Sequence, residues 1–357
     1  MNFIRHKSTS KLFRQFSTCQ RLKKEVINPY GRKTDEALHL FIRDKIKSNG
    51  PITVHEFMQL VSGSAAGYYV NKSRDEGKIF GPSGDFITAP ELTQVFGELL
   101  AVWIYNELGN CGHTDEWQLV EFGPGTGNLM SQLLGAFKKF KEEDKLTVHF
   151  VEISDALIDE QEKKLCNNVT KNIEGKSYVR KNRSLYEAGT IVNQITEKVL
   201  INGGFALFVD YGHDGGREEL SLRAYHKHAL VDPLSSPGRN DITADVNFGY
   251  LKSLVEDRVL VYGPQEQRWF LSQLGILTRM QYLMSICKSK EDRENLFNAY
   301  KLLMTGTEHG GMGAAFKTFS IFPKTLQQIM EKRGGYPDGF RPFGMKIVEK
   351  KVLENEV

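Results

Sequence analysis

From Trp117 onward the chain alternates short apolar runs with helix-like patterns, and this alternation restricts the fold more than any other feature. "WQLVEF" and "LTVHFVEI" read as buried strands, followed by the helical stretches "NLMSQLLGAFKKF" and "DALIDEQEKKLC". "YVRKN" predicts a short third strand, "AGTIVNQITEKVLING" a helix and "GFALFVDYG" another buried strand. "HKHALVDPL" reads as a strand, "DVNFGYLKSLVEDRVLVYG" as a helix and strand, "PQEQRWFLSQLGI" as a helix and "AAFKTFSIFP" as a closing strand. Such an order calls for a parallel sheet covered by helices. Upstream, "TDEALHLFIRDKIKSNGPI" and "TVHEFMQLVSG" predict two helices, and "ELTQVFGELLAVWIYNEL" one long buried helix entered from "GPSGDFITAPEL". The expected architecture is an open α/β sheet with an N-terminal helical cap.

The first strand breaks in "EFGPGTGN", where Gly123, Gly125 and Gly127 recur at every second residue. Glycines there let the backbone pass close to a ligand at the carboxyl edge of the strand, facing the amides of the next helix. A dinucleotide fingerprint places its third glycine one residue later. A pyrophosphate would profit from those amides, but Glu121, just before the first glycine, repels phosphate and attracts a cation. Glu152 ends the second strand, where an acid accepts hydrogen bonds from both hydroxyls of a ribose. Together these features suit a positively charged nucleoside without phosphates, which describes S-adenosylmethionine. The competing reading is a tight strand-to-helix turn with two solvated glutamates. In "GDFITAPEL", Gly84 permits close backbone approach and Asp85 offers a further carboxylate. Thr88, Pro90 and Glu91 carry the spacing of a capping box.

Composition narrows the setting. Arg5, Lys7, Lys11, Arg14, Arg21, Lys23 and Lys24 all precede the first acidic residue, Glu25. The stretch resembles a mitochondrial transit peptide, with a basic tail as the alternative. Without it the net charge of +3 falls to about −4, so the body carries no nucleic-acid signature. Cys19, Cys111, Cys166 and Cys287 form no CxxC pair and have no neighbouring His cluster, which indicates neither a metal site nor a disulfide framework. No apolar stretch approaches the ~20 residues that cross a bilayer. A soluble matrix protein is expected.

The motifs "GYYVN", "GDFITAPELTQVFGELLAVW", "QLVEFGPGTGNLM", "VHFVEIS", "ALFVDYGHDG", "DITADVNFGYL" and "GPQEQRWFLSQLGI" together resemble the MidA-like mitochondrial methyltransferases, over most of the chain from Ile52 to Ile276. That family acts in complex I assembly by methylating an arginine of a core subunit. The resemblance implies a class I methyltransferase fold, Rossmann-like, with S-adenosylmethionine as donor and a protein arginine as acceptor. It assigns Gly84, Asp85, Phe86, Glu121, Gly123, Gly125, Gly127 and Glu152 to the donor site. Asp210 and Tyr211, at the end of "VDYGHDGG", become candidate catalytic residues, Asp210 orienting a guanidinium or else capping the glycine turn. In "TADVNF", Asp245 reads as a helix cap or a substrate contact. Trp269 and Phe270 read as packing, and the three nearby histidines, His213, His226 and His228, as non-metal residues.

One departure stands out. The family continues after the second strand and its helix into a further strand ending like "ANEFFDALP" and a β-rich insertion, and no such motif lies between Cys166 and Phe205. A central strand is therefore expected to be missing from the sheet. The expected divisions are a transit peptide (1–25), a helical cap with cofactor loop (33–90), a methyltransferase domain (91–323) and a C-terminal tail (324–357). Two rival readings remain: a non-catalytic assembly module that keeps the donor pocket, and a dinucleotide-dependent oxidoreductase.

Overall fold

In the computed structural model, the described residues are 34–64, 66–69, 87–152, 154–166, 178–181 and 188–342. Helices α1 (Thr34–Asn49) and α2 (Val54–Met58) come first. The Thr53 side chain accepts from the Glu56 amide at 3.1 Å and starts α2. The long helix expected next is two, α3 (Ala89–Leu92) and α4 (Gln94–Asn110). Thr93 separates them in an extended conformation and its hydroxyl accepts from the Val95 amide, restarting the helix.

The first parallel unit follows the sequence pattern: β1 (Trp117–Phe122), α5 (Asn128–Phe140), β2 (Leu146–Glu152) and α6 (Asp155–Cys166). β3 (Tyr178–Lys181) completes a three-stranded parallel sheet in the order β1-β2-β3. Along α5, Met130, Leu133, Ala136 and Phe137 are buried on one stripe of helical period, and Lys138 and Lys139 complement its C-terminal dipole.

After α7 (Ala188–Asn202) come β4 (Ala206–His213), β5 (Arg223–His226), β6 (Ala229–Val231), β7 (Asp241–Thr243) and β8 (Val246–Asn247). Then follow α8 (Phe248–Ser253), β9 (Val259–Glu266), α9 (Gln267–Gln273), α10 (Ile276–Ile286), α11 (Lys290–Met304), β10 (Phe316–Pro323) and α12 (Gln327–Lys332). A second sheet has the order β8-β4-β10-β9, with β10 antiparallel to both β4 and β9. A small antiparallel sheet, β6-β5-β7, lies between β4 and β8 in sequence. The helical cap belongs to this small sheet: Leu38, Ile42, Phe57 and Val61 share a cluster with Ala224 and Ile242.

One core nevertheless joins the two larger sheets. Phe96, Leu99, Leu100 and Trp103 of α4 pack in a single cluster with Trp117 and Phe150 from one sheet and Leu207, Val209, Leu260 and Phe322 from the other. Among the described residues β1 pairs only with β2, and β4, opposite its β10 side, pairs only through Gly212 and His213 with β8. Val120 and Phe122 of β1 are 46% and 50% exposed, whereas strands inside a parallel sheet are covered on both faces.

Residues 324–342, expected as a tail, are part of this core. Met330 and Phe340 are buried, and the Trp103 ring lies edge-on to Phe205, Phe270 and Phe322 and tilted against Phe340. The Trp103 indole donates to the Asp338 carbonyl at 2.8 Å. Phe270 is packing, as expected; Trp269 is 37% exposed, with the Arg268 guanidinium 5.2 Å from its ring.

Candidate functional site

The glycine turn is built as its spacing requires. Gly123, Gly125 and Gly127 have φ of 63°, 54° and 76°, a region that side chains disfavour. The Gly123 amide still donates to Val151 across the sheet, and the Gly127 amide closes the turn on Pro124. The turn therefore emerges from the β1–β2 ladder and delivers the chain to the start of α5.

Glu121 stands at the end of β1, and burial pushes its carboxyl up to about 7. Its Oε2 is buried without a hydrogen-bond partner among the described residues. An unpartnered buried carboxylate is costly alone and favourable beside a cation. This orphaned atom fits a positively charged ligand at the glycine turn and disfavours a pyrophosphate.

Glu152, at the end of β2, is buried and held at both oxygens. Oε1 accepts from the Ser154 amide at 2.9 Å, and Oε2 accepts from the Gln161 amide group at 3.3 Å. Gln161 also donates to the Gly125 carbonyl at 2.7 Å, so one side chain on α6 ties the acid to the glycine turn. Sequence reasoning missed Gln161. Its only signal is an uncharged residue one turn after Leu157 in "DALIDEQEKKLC", on the helix face that packs inward.

Glu91 corrects an expectation. No side-chain bond caps α3 at Thr88, so the Thr88 half of the capping box does not form, although the Glu91 carboxyl still takes a bond from the Thr88 backbone. The Glu91 carboxylate also accepts from the Thr126 hydroxyl at 3.3 Å and the Asn128 side chain at 3.5 Å, joining the helix entry to the far side of the turn. Burial raises its carboxyl, and its Oε2 too has no partner among the described residues. Gln132 locks the same junction, donating to the Pro90 carbonyl and accepting from the Gly97 amide. Gly84, Asp85 and Phe86 lie outside the described residues.

Asp210 and Tyr211 come to the end of β4. The Asp210 side chain is reached by solvent yet surrounded by protein, and this desolvation, with Asp245 nearby, raises its carboxyl to about 6. Its Oδ1 accepts from the Tyr211 amide at 2.7 Å. Tyr211 packs on Phe316 with ring centroids 4.0 Å apart and carries the Arg223 guanidinium 4.8 Å from its own centroid. Asp245 is not the helix cap: Asn247 caps α8, accepting from the Tyr250 amide. Asp245 is instead the shared partner of Arg217 and Arg223. This edge of the sheet thus already holds guanidinium groups of its own chain, by the carboxylate pairing and ring stacking that suit arginine. Among the described residues no group of His, Cys, Asp and Glu could hold a metal ion. No described helix is long and apolar enough to cross a membrane.

Comparison with known proteins shows the family and the fold. The Methyltransf_28 family of S-adenosyl-L-methionine-dependent methyltransferases matches residues 99–192 and 186–265. A Caenorhabditis elegans protein named mitochondrial protein arginine methyltransferase NDUFAF7 homolog is 40% identical over 423 positions, covering 93% of this chain and 96% of its own. The human protein arginine methyltransferase NDUFAF7 is 30% identical, over 78% of this chain and 82% of its own. Among solved structures, a COG1565 superfamily protein from Burkholderia thailandensis, bound to S-adenosyl-homocysteine, superposes with a TM-score of 0.63 at 23% identity. That superposition covers 81% of this chain and 92% of the other. The worm alignment is longer than the 357 residues of this chain, so it includes positions at which this chain has none. The two family matches meet at residues 186–192.

Proposed function

The chain belongs to the family of NDUFAF7 mitochondrial protein arginine methyltransferases, and from that premise we propose that it methylates an arginine of a core subunit of respiratory complex I. It does so in the mitochondrial matrix, reached through the basic segment 1–25. The methyl donor is S-adenosylmethionine, whose sulfonium supplies an electrophilic methyl group. The observation that carries the reading is the buried Glu121 carboxylate beside the glycine turn, with one oxygen unpartnered among the described residues. Glu121 supplies the counter-charge for the donor's cationic end, and Glu152 the acceptors for its ribose hydroxyls.

The acceptor guanidinium is planar and charged, so fixed carboxylates must orient it. Asp210, at the end of β4, is the carboxylate assigned to this role, and Tyr211 beside it carries the chain's own Arg223 on its ring. When the acceptor nitrogen gains a methyl it must lose a proton. Asp210 Oδ2 takes it, since Oδ1 is held by the Tyr211 amide and the carboxyl sits near 6. Asp210→Asn should lower kcat for a peptide bearing the substrate arginine by roughly a hundredfold and leave S-adenosylhomocysteine affinity unchanged. A radiolabelled methyl-transfer assay measures this. Unchanged turnover would remove Asp210 from the acceptor site.

Glu121 predicts a pH dependence. A carboxyl raised from 4.5 to about 7 binds its proton more tightly folded than unfolded, so its stability contribution declines between those values as pH rises. A bound cation needs the ionised form. Affinity for S-adenosylmethionine should therefore rise by up to roughly tenfold from pH 6 to 7.5, and Glu121→Gln should flatten the slope. Calorimetry at several pH values checks both.

A second reading, an assembly module that binds the donor without turnover, is favoured by the segment that this chain lacks relative to the worm protein. We place that gap near residues 186–192, where the family matches meet. Among the described residues β1 pairs only with β2, and β4 meets β8 only at Gly212 and His213, which supports the same placement. Inserting the worm protein's intervening segment separates the readings: equal turnover with and without it favours the enzyme, turnover only with it favours the module.

A further inference from the structure

A line of hydrogen bonds leaves the glycine turn and crosses to the other half of the molecule. It runs from the Gly125 carbonyl through Gln161 to Glu152, and from Glu152 to the Ser154 amide. The Ser154 hydroxyl then donates to the Tyr69 carbonyl at 3.3 Å, and the Tyr69 hydroxyl donates to Asp241 Oδ1 at 3.1 Å. Gln161, Glu152, Ser154 and Asp241 are all buried. Asp241 lies on β7, paired with Tyr225 of β5 in the small sheet that follows Asp210 in the chain. The preceding residue, Tyr68, is fully buried against Leu157 of α6, which fixes the Tyr69 backbone to the donor half. The phenol therefore reaches across while its backbone stays behind. Burial, and next Asp241, hold the Tyr69 hydroxyl protonated well above its ordinary range, and the Asp210 and Glu152 charges add to this. The hydroxyl is thus a permanent donor to a carboxylate, and such charge-assisted bonds are the strong ones.

We propose that Tyr69 is a positioning residue that couples the donor pocket to the small sheet β5–β7, so that occupancy at Glu152 holds Asp241 and the strands that carry it in place. This rests on the donor-site reading given above. A ligand that engages Glu152 stiffens Ser154 and the Tyr69 carbonyl, and the Tyr69 hydroxyl passes the restraint to Asp241.

Amide hydrogen exchange with and without S-adenosylhomocysteine tests the coupling, on the full chain, Tyr69→Phe and Asp241→Asn. In all three proteins the ligand should slow exchange at residues 119–130. In the unmodified protein it should also slow exchange at 223–231 and 241–243 by about tenfold, the equilibrium shift that one charge-assisted hydrogen bond carries. Both variants should lose the second response and keep the first. A merely structural tether would raise exchange in the small sheet equally with and without ligand, and that result overturns the proposal. So does a response in the variants equal to that of the unmodified chain, or one confined to 119–130 in all three. No slowing at 119–130 in the unmodified protein overturns the donor-site reading and this coupling with it.

Discussion

Replacing Glu107 with alanine should destabilise the fold by about 3–5 kcal/mol, the cost of breaking a buried ion pair from one side. Glu107 is fully buried on α4, and Arg333 forks onto both its oxygens at 2.7 and 2.8 Å. The Asp338 amide donates to the same carboxylate, and the Asp338 carbonyl accepts from Trp103. Truncation leaves the Asp338 amide without its acceptor and a largely buried guanidinium with only the Asp338 carboxylate, 3.4 Å away, and it loosens residues 333–340 on the helix that organises the core, where the Trp103 bond remains. Replacing both partners with apolar residues should cost far less, because no charge is then left unpaired. Urea unfolding followed by circular dichroism and tryptophan fluorescence measures the loss. A change below about 1 kcal/mol would show that the C-terminal segment does not hold the core together.

Glu152→Ala should weaken S-adenosylhomocysteine binding by about a hundredfold, or about 3 kcal/mol. A carboxylate offers about four acceptor positions, so internal donors and ribose hydroxyls can share it. Removing it deletes the charge-assisted bonds to the ligand and leaves the Ser154 amide and Gln161 without their acceptor. The Gln161 bond to Gly125 survives, so the glycine turn should keep its shape. Loss of affinity with a small drop in thermal stability, from the buried donors left unpaired, is the expected signature. An affinity within twofold of the unmodified protein would place the ribose elsewhere.

Local rhythm announced β1, α5, β2 and α6, because each strand or helix there carries its own period and its burial faces one neighbour. The glycine turn was equally plain, since only residues that tolerate positive φ can recur at 123, 125 and 127. Glu91 was misread because a capping box and a tertiary contact need the same residue types, and only the fold brings Thr126 and Asn128 within reach. Asp245 was ambiguous for the same reason, and two arginines from the preceding loop and strand claimed it. Pairs such as Glu107 with Arg333, or Tyr69 with Asp241, lie far apart along the chain and leave no periodic trace. The C-terminal residues 324–342 looked like a tail because they are polar and short of pattern. Their hold on the core is a few well-placed groups, Met330, Arg333, Asp338 and Phe340, with no amphipathic stripe.

The glycine turn, Glu121 and Glu152 together make one claim, that this fold binds a cationic nucleoside without phosphates and uses it as a methyl donor. Calorimetric titration of the purified chain with S-adenosylhomocysteine, run beside an identical titration with NADH, puts that claim at risk. Saturable one-site heat with S-adenosylhomocysteine and none with NADH is the predicted result. Folded protein that gives no heat with S-adenosylhomocysteine, or that binds NADH instead, would contradict it.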